Sequence, residues 1–201
     1  MATSEAKNFA TIMLFSLAIA SCTSPSSALR DLPDENSTDF IRTSCSKTTY
    51  PKLCFSSLSS HAAAIQMSPK LLACTALNVT LKNARSVSVL MVNLSRSQGL
   101  KPREAAAMQD CMELLGDAVD EFRRSIAEMK DPKERDFELM ISDVQTWASA
   151  ALTDEDTCSD GFAGKEMDGK VKTVVRAWIV TLSHLTSNAL ALINAYASLH
   201  G

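Results

Sequence analysis

The sequence predicts an all-α protein: an up-down-up-down four-helix bundle preceded by a helical hairpin. Four long stretches carry apolar residues at intervals of three and four, the spacing that places them along one side of a helix. The chain has only 6 glycines and 5% aromatic residues, whereas alanine, leucine, serine and methionine are plentiful, and this composition favours helices over strands. With 201 residues, 46% of them hydrophobic, the chain is long enough for one domain with a substantial core.

The first 28 residues are typical of a secretory signal peptide. Lys7 precedes an apolar run over residues 9–20, which is too short to span a bilayer but has the length of a signal-peptide core. Cleavage could follow Ala20 or Ala28. Residues 29–38 are then expected to form a linker and residues 39–201 the folded domain, and we expect a secreted protein that is not held in a membrane.

Three sequons for N-glycosylation agree with secretion, although each is a short pattern that also occurs by chance. They begin at Asn36, Asn78 and Asn93.

The charge balance argues against a nucleic-acid partner. The formal net charge is −3, and it stays −3 after removal of the signal peptide because Glu5 and Lys7 cancel. The chain also lacks a basic stripe, which a protein that binds the phosphate backbone needs.

The helical hairpin is expected over residues 39–66. Cys45 and Cys54 bracket the sequence Thr-Thr-Tyr-Pro51, which has the composition of a turn, so a disulfide between them would tie a local hairpin.

The first two bundle helices have clear start and stop signals. The first is expected to begin at Pro69 with Ser68 as its N-cap and to end near Gly99. The second is expected to begin at Pro102 and to end at Asp131-Pro132. Its apolar seam is the most regular in the chain: Ala105, Met108, Met112, Leu115, Val119, Phe122, Ile126 and Met129.

The third helix is expected from about Lys133 to Leu152. Its stripe includes Val144, Ala148 and Ala151, with Trp147 as a large anchor buried between helices. The acidic run 154–156 should end this helix, because acidic charge is unfavourable at a helix C-terminus. A loop with three glycines leads to the fourth helix, whose seam is Val171, Val174, Trp178, Leu182, Leu185, Ala189, Leu192, Tyr196 and Leu199.

Side chains that could perform catalysis do not form a recognisable constellation. The three histidines lie outside any metal-binding spacing, and Ser183-His184 is a dipeptide and not a triad. The many carboxylates of the helices are expected to be solvated, and the methionines of the seams (Met108, Met112, Met129, Met140) are expected to be core residues and not the lining of a lipid cavity. We therefore expect a protein that is not an enzyme and that uses no metal and no cofactor.

Three stretches resemble the plant invertase and pectin methylesterase inhibitor family. The first covers 144–162, with Val-Gln-Thr-Trp-Ala-Ser-Ala-Ala-Leu-Thr followed by Thr-Cys-Ser-Asp-Gly-Phe. The second is Gln109-Asp-Cys111-Met-Glu113, and it continues to Phe122 with Leu115-Gly116 where relatives often have an aromatic and a polar residue. The third covers 40–58 and contains Cys45, Tyr50-Pro51 and Cys54.

The resemblance implies secreted four-helix bundles, preceded by a disulfide-tied helical hairpin, that inhibit a target enzyme. It implies a second disulfide between Cys111 and Cys158, because these cysteines lie in motifs whose cysteines pair in relatives. Cys74 has no counterpart there: a buried free thiol is one reading, and pairing with Cys22 or with another chain is the other.

The resemblance also implies the mode of action, a reversible 1:1 complex in which consecutive bundle helices cover the substrate cleft of the target. Invertase inhibitors carry Pro-Lys-Phe, whereas this chain has Pro132-Lys133-Glu134, so the pectin methylesterase branch fits better. The expected protein is a monomer whose partner is a plant pectin methylesterase. An inhibitor of acid invertase, or an extracellular ligand carrier, is the alternative.

The second bundle helix carries charged residues that its apolar seam leaves away from the core, and we expect some of them to meet the target. Solvation remains the default reading for each one singly. Together with a threonine of the third helix, these candidate contact residues are Glu113, Asp117, Asp120, Glu121, Arg124 and Thr157.

Overall fold

The computed structural model describes residues 35–130 and 136–200, and within these ranges it contains helices and short connections but no strand. The hairpin consists of α1 (Glu35–Cys45), α2 (Pro51–Leu58) and the short α3 (Ala62–Ile65). Four long helices follow: α4 (Pro69–Ser95), α5 (Pro102–Lys130), α6 (Phe137–Gly161) and α7 (Lys170–Ala197). These four pack as a ring in chain order, α4 on α5, α5 on α6, α6 on α7 and α7 on α4. The prediction of an all-α bundle with a preceding hairpin is confirmed.

Local side-chain contacts fix where the first two bundle helices begin. Ser68 caps α4, since its hydroxyl accepts a hydrogen bond of 3.3 Å from the backbone N–H of Leu71. At the start of α5 the backbone N–H of Lys101 donates to Oε2 of Glu104, at 2.8 Å. α4 ends at Ser95, a few residues before Gly99, whose φ of 92° provides the turn toward α5.

Hydrogen bonds to one loop residue add to the apolar packing that holds the hairpin on the bundle. The side chain of Asn188 on α7 accepts a hydrogen bond from the backbone N–H of Tyr50 and donates one to its carbonyl oxygen, both at 3.0 Å. The ring of Tyr50 stacks on the imidazole of His184 with a centroid distance of 3.6 Å. α1 itself begins at Glu35, inside the range 29–38 that the sequence analysis assigned to a linker.

The expected end of the third bundle helix is wrong: α6 continues through the acidic run and ends at Gly161. Helix propensity is a weak preference that tertiary packing overrides. In this case the side chain of Glu155 is completely buried between exposed or half-exposed neighbours, so this turn of the helix packs on the bundle through Glu155. At the other end Asp136 caps α6, its carboxylate accepting from the backbone N–H of Glu138 at 3.0 Å. The expected start at Lys133 lies outside the described residues.

The predicted seams form the core with a few exceptions at their ends. Met108 and Met129 are buried in it, and Met112 and Met140 pack against it. Ala105 is exposed, as are Val174 and Leu199 near the two ends of the fourth seam. Trp147, predicted to be buried, is half-buried and lies outside the core cluster.

Candidate functional site

An acidic face is formed by α5 and α6 on the side of the bundle where these two helices pack. It consists of Glu113, Asp117, Asp120, Glu121 and Arg124 of α5 with Asp154 and Thr157 of α6. On α5, Glu121 is half-buried and the other members are exposed. Electrostatic coupling of Asp154 to both Asp117 and Glu121 shows that the two helices bring these carboxylates close together.

The half-buried position of Glu121 changes its acidity. The pKa of Glu121 is raised to about 7, first by burial and then by the neighbouring carboxylates of Asp154 and Asp117, while Arg124 opposes the shift. The pKa of Asp154 is also raised, first by burial and then by Asp117. The face therefore contains groups that change protonation between acidic and neutral pH.

Two other members of the face have hydrogen bonds within their own helices. The carboxylate of Asp120 forms an ion pair with Arg123 one turn along α5, and both side chains are exposed. Such a pair contributes less than about 1 kcal/mol. The hydroxyl of Thr157 donates to the carbonyl oxygen of Thr153 at 2.7 Å. The side chains of Asp120 and Thr157 remain accessible to solvent.

The disulfide between Cys111 and Cys158 joins α5 to α6 beside this face, and a second disulfide joins Cys45 to Cys54 in the hairpin. These are the two pairs that the motifs and the resemblance pointed to. Cys74 is a buried free thiol whose Sγ lies 3.9 Å from Sδ of Met129. Burial raises the pKa of this thiol, and Lys70 and Lys130 oppose the shift. Cys22 lies outside the described residues.

Two carboxylates of the helices, Glu104 and Glu155, are buried and so depart from the expectation of solvated charges. Glu155 is 0% exposed, and its Oε1 accepts a hydrogen bond of 2.8 Å from the hydroxyl of Thr186 on α7. The signal was present in the sequence, because Glu155 lies four residues after Ala151 and three before Cys158, in line with the buried stripe of α6. Continuing that stripe past Leu152 would have predicted its burial.

A polar pocket of about 220 Å³ lies between α6, α7 and Tyr50, and it contains Asp156, Ser183 and His184. The hydroxyl of Ser183 donates to the carbonyl oxygen of Ile179 in its own helix, and the imidazole of His184 is stacked on Tyr50. The structure thus brings Ser, His and Asp to one pocket, but the serine is not directed toward the imidazole as a nucleophile would be.

The sequon asparagines Asn36, Asn78 and Asn93 are all exposed and all lie on helices. The amide of Asn78 donates to the carbonyl oxygen of Cys74 at 2.7 Å, and the hydroxyl of Thr80 in the same sequon is buried.

Two further kinds of site, a membrane-spanning helix and a metal centre, are absent from residues 35–130 and 136–200. These ranges hold no helix with the length and apolarity needed to cross a membrane. Within them, His, Cys, Asp and Glu side chains do not come together in groups of three or more that could hold a metal ion.

Known proteins are similar to this chain in sequence over most of its length. The family model described as "Plant invertase/pectin methylesterase inhibitor" matches residues 39–192. The chain is 50% identical over 194 residues to "Pectinesterase inhibitor 11" of Arabidopsis thaliana, which covers 94% of this chain and 96% of that relative. It is 51% identical over 164 residues to the "21 kDa protein" of Daucus carota, covering 80% of this chain and 85% of the relative.

The fold is also similar to a solved structure. The crystal structure of mutant form A of a pectin methylesterase inhibitor from Arabidopsis matches with a TM-score of 0.63 at 21% sequence identity, covering 77% of this chain and 95% of that chain. By its sequence the chain belongs to the plant invertase/pectin methylesterase inhibitor family, a family of inhibitors and not of enzymes.

Proposed function

We propose that the protein is a secreted inhibitor of pectin methylesterase that covers the substrate cleft of its target in a reversible 1:1 complex. The observation that carries the proposal is the 50% identity to "Pectinesterase inhibitor 11" over nearly the whole of both chains. In this role the protein regulates the methylesterification of cell-wall pectin. The Pro132-Lys133-Glu134 segment that separates the two branches of the family lies outside the described residues.

The acidic face is the surface that we propose meets the target. It lies on consecutive bundle helices, which is where the family resemblance places the contact, and most of its side chains are exposed. Pectin methylesterases act through a cleft that contains catalytic carboxylates, a property of that enzyme class. Carboxylates on both sides of an interface repel each other, so protonation of the inhibitor's face is expected to strengthen the complex.

A parallel titration tests the proposal. The secreted protein is titrated against a plant pectin methylesterase and against an acid invertase, and we expect inhibition of the esterase with an equivalence point of one inhibitor per enzyme. Inhibition of the invertase alone would reverse the assignment of the target.

Inactivity against both enzymes would reopen the carrier alternative. The pocket where the hairpin meets the bundle has about 360 Å³ and is lined in part by Phe40, Leu72, Leu192 and Tyr196, so it is the place where a bound ligand would be sought. Extraction of the purified protein with organic solvent, followed by mass spectrometry, would detect such a ligand.

Secretion and glycosylation belong to the same proposal. Expression of the full chain in plant cells should release a protein into the medium, and N-terminal sequencing should find cleavage after Ala20 or Ala28. Peptide mapping before and after enzymatic removal of N-glycans would show which sequons are used. Retention of the uncleaved chain inside the cell would contradict this part of the proposal.

A further inference from the structure

Glu155 is an ionisable side chain in the interior of the bundle. It is 0% exposed, and only one of its carboxyl oxygens has a partner, the hydroxyl of Thr186. The other oxygen, Oε2, is buried without a hydrogen bond. An ionised carboxylate in such a position loses its hydration and regains only one hydrogen bond, whereas a protonated carboxyl avoids most of this cost.

A second carboxyl lies beside it on the neighbouring helix. Glu121 of α5 is half-buried, but its Oε2 atom is as inaccessible as that of Glu155 and likewise has no hydrogen-bond partner. The negative charge of Glu121 acts on Glu155 across the α5–α6 contact. Two negative charges in this interior would repel each other, so the pair favours a state that retains protons.

The groups around the pair do not neutralise it. On α6 the neighbours of Glu155 are Asp154 and Asp156, and both disfavour its ionisation. On α7 the facing group is Thr186, which is uncharged. His184 on α7 lines the adjacent pocket with Asp156 and stacks on the ring of Tyr50.

On α5 two charged groups act on Glu121. Asp117 disfavours its ionisation, and Arg124 favours it. Among the described residues, no cation acts on Glu155 itself.

We propose that Glu155 and Glu121 form a proton-dependent lock. The folded bundle is most stable while this pair keeps its protons, and its free energy of unfolding falls when the protons are lost in neutral to mildly alkaline solution. The lock concerns the inhibitor alone and does not depend on which enzyme it binds. Its effect would be to keep the protein most stable in an acidic medium and to lower its stability when the medium becomes neutral.

The direction follows from the linkage between proton binding and folding. Burial, which is the main cause, raises the pKa of Glu155 from 4.5 to about 8 in the folded protein. The contribution of this group to stability is complete below pH 4.5, declines as the pH rises toward 8, and is lost above that value. Within this window the equilibrium constant for unfolding rises up to about tenfold per pH unit for each such group. Glu121 adds a smaller part, because it is half-exposed and solvent screens it.

Denaturant unfolding of the full secreted protein between pH 5 and pH 8.5 tests the lock. For the wild type we expect the midpoint to fall steadily over this range. Glu155→Gln keeps the shape of the side chain and an oxygen for Thr186 but cannot ionise, so its midpoint should depend much less on pH. Asp160→Asn is the control, since it removes an exposed carboxylate from the same helix and should keep the wild-type dependence.

A direct measurement keeps the proposal testable even if Glu155→Gln does not fold. In NMR spectra of wild-type protein labelled with ¹³C at the glutamate carboxyls, one resonance should titrate near pH 8 and another near pH 7, with burial as the cause. Titration of every glutamate close to pH 4.5 would overturn the proposal. So would a wild-type midpoint that does not change with pH, or a folded Glu155→Gln variant with the wild-type pH dependence.

Discussion

Phe122 of α5 is one of the largest side chains in the bundle that solvent does not reach, whereas Trp147 of α6 is half-buried. Both were expected in the core because of their spacing. The energetic consequence of truncation differs between them, since the loss of stability follows the apolar surface removed from the interior and the cavity left behind.

We expect Phe122→Ala to lower the free energy of unfolding by about 3–5 kcal/mol and Trp147→Ala by clearly less. The check is denaturant unfolding of both variants at one pH. A loss for Trp147→Ala equal to that for Phe122→Ala would show that the tryptophan belongs to the core after all. A negligible loss would make its exposed part a candidate contact with a partner.

Asn188 is a residue whose importance comes from two hydrogen bonds to the backbone of Tyr50. We expect Asn188→Ala to lower the free energy of unfolding by about 1–3 kcal/mol, because it leaves the backbone N–H of Tyr50 without a partner, whereas the carbonyl oxygen of Tyr50 still accepts from the backbone N–H of Cys54 at 2.9 Å. The matched control is Asn194→Ala on the same helix. It removes only an exposed contact with Gln145, so it should change stability little. Equal effects of the two variants would contradict the role of Asn188 in attaching the hairpin.

At the scale of the elements, the two disulfides constrain different parts of the chain. The bond between Cys45 and Cys54 spans 9 residues of one hairpin, whereas the bond between Cys111 and Cys158 spans 47 residues and joins α5 to α6. Closing a longer loop removes more conformational entropy from the unfolded chain.

Replacing both cysteines of a pair by alanine should therefore cost about 3 kcal/mol for Cys45 and Cys54 and about 4 kcal/mol for Cys111 and Cys158. The free energy of unfolding of the two double variants, measured under non-reducing conditions, shows which disulfide contributes more to stability. Peptide mapping of the wild type should recover both bridges and a free Cys74. A bridge between Cys74 and Cys111 would contradict the assignment.

At the scale of the whole molecule, the acidic face connects the fold to its proposed partner. Burial raises the pKa of Glu121 to about 7, so this carboxyl is only partly ionised at neutral pH, and burial also raises the pKa of Asp154. As the pH falls they take up protons, and the repulsion between this face and the acidic cleft of an esterase decreases.

We expect the complex to dissociate more slowly as the pH is lowered from 7.5 to 5, because mutual repulsion acts mainly on the dissociation rate once the surfaces are in contact. Glu113→Gln combined with Asp117→Asn should flatten this dependence, because it removes two charges from the face and with Asp117 a cause of the raised pKa of both Glu121 and Asp154. The fold should stay intact, since both substituted side chains are exposed. The measurement is the dissociation rate by surface plasmon resonance across that pH range.

Glu138→Gln is the control for this experiment, because it is exposed and lies 16 residues before Asp154 on α6, about 24 Å along the helix axis. It should retain the wild-type dependence on pH. If the dissociation rate of the double variant depended on pH as it does in the wild type, the acidic face would not be part of the interface.

The positions of the helices and most of their ends follow from local features of the sequence. The cap at Ser68, the prolines at 69 and 102 and the seams spaced by three and four residues act through contacts within one or two turns of the chain. Such local contacts can be recognised without knowing what lies on the other side of a helix. The motifs around Cys111 and Cys158 are also visible in the sequence alone, and they indicated the family and the second disulfide.

The tertiary structure alone decided the features that depend on packing between distant residues. α6 continues past the acidic run because α5 and α7 cover Glu155, and the contact with Thr186 lies 31 residues away in the chain. Tyr50 is held by Asn188 across 138 residues, and the carboxylates of α5 and α6 meet on one face because these helices are neighbours in the bundle. Whether a carboxylate is solvated or buried depends on what covers it, and a helix sequence records only which side it occupies.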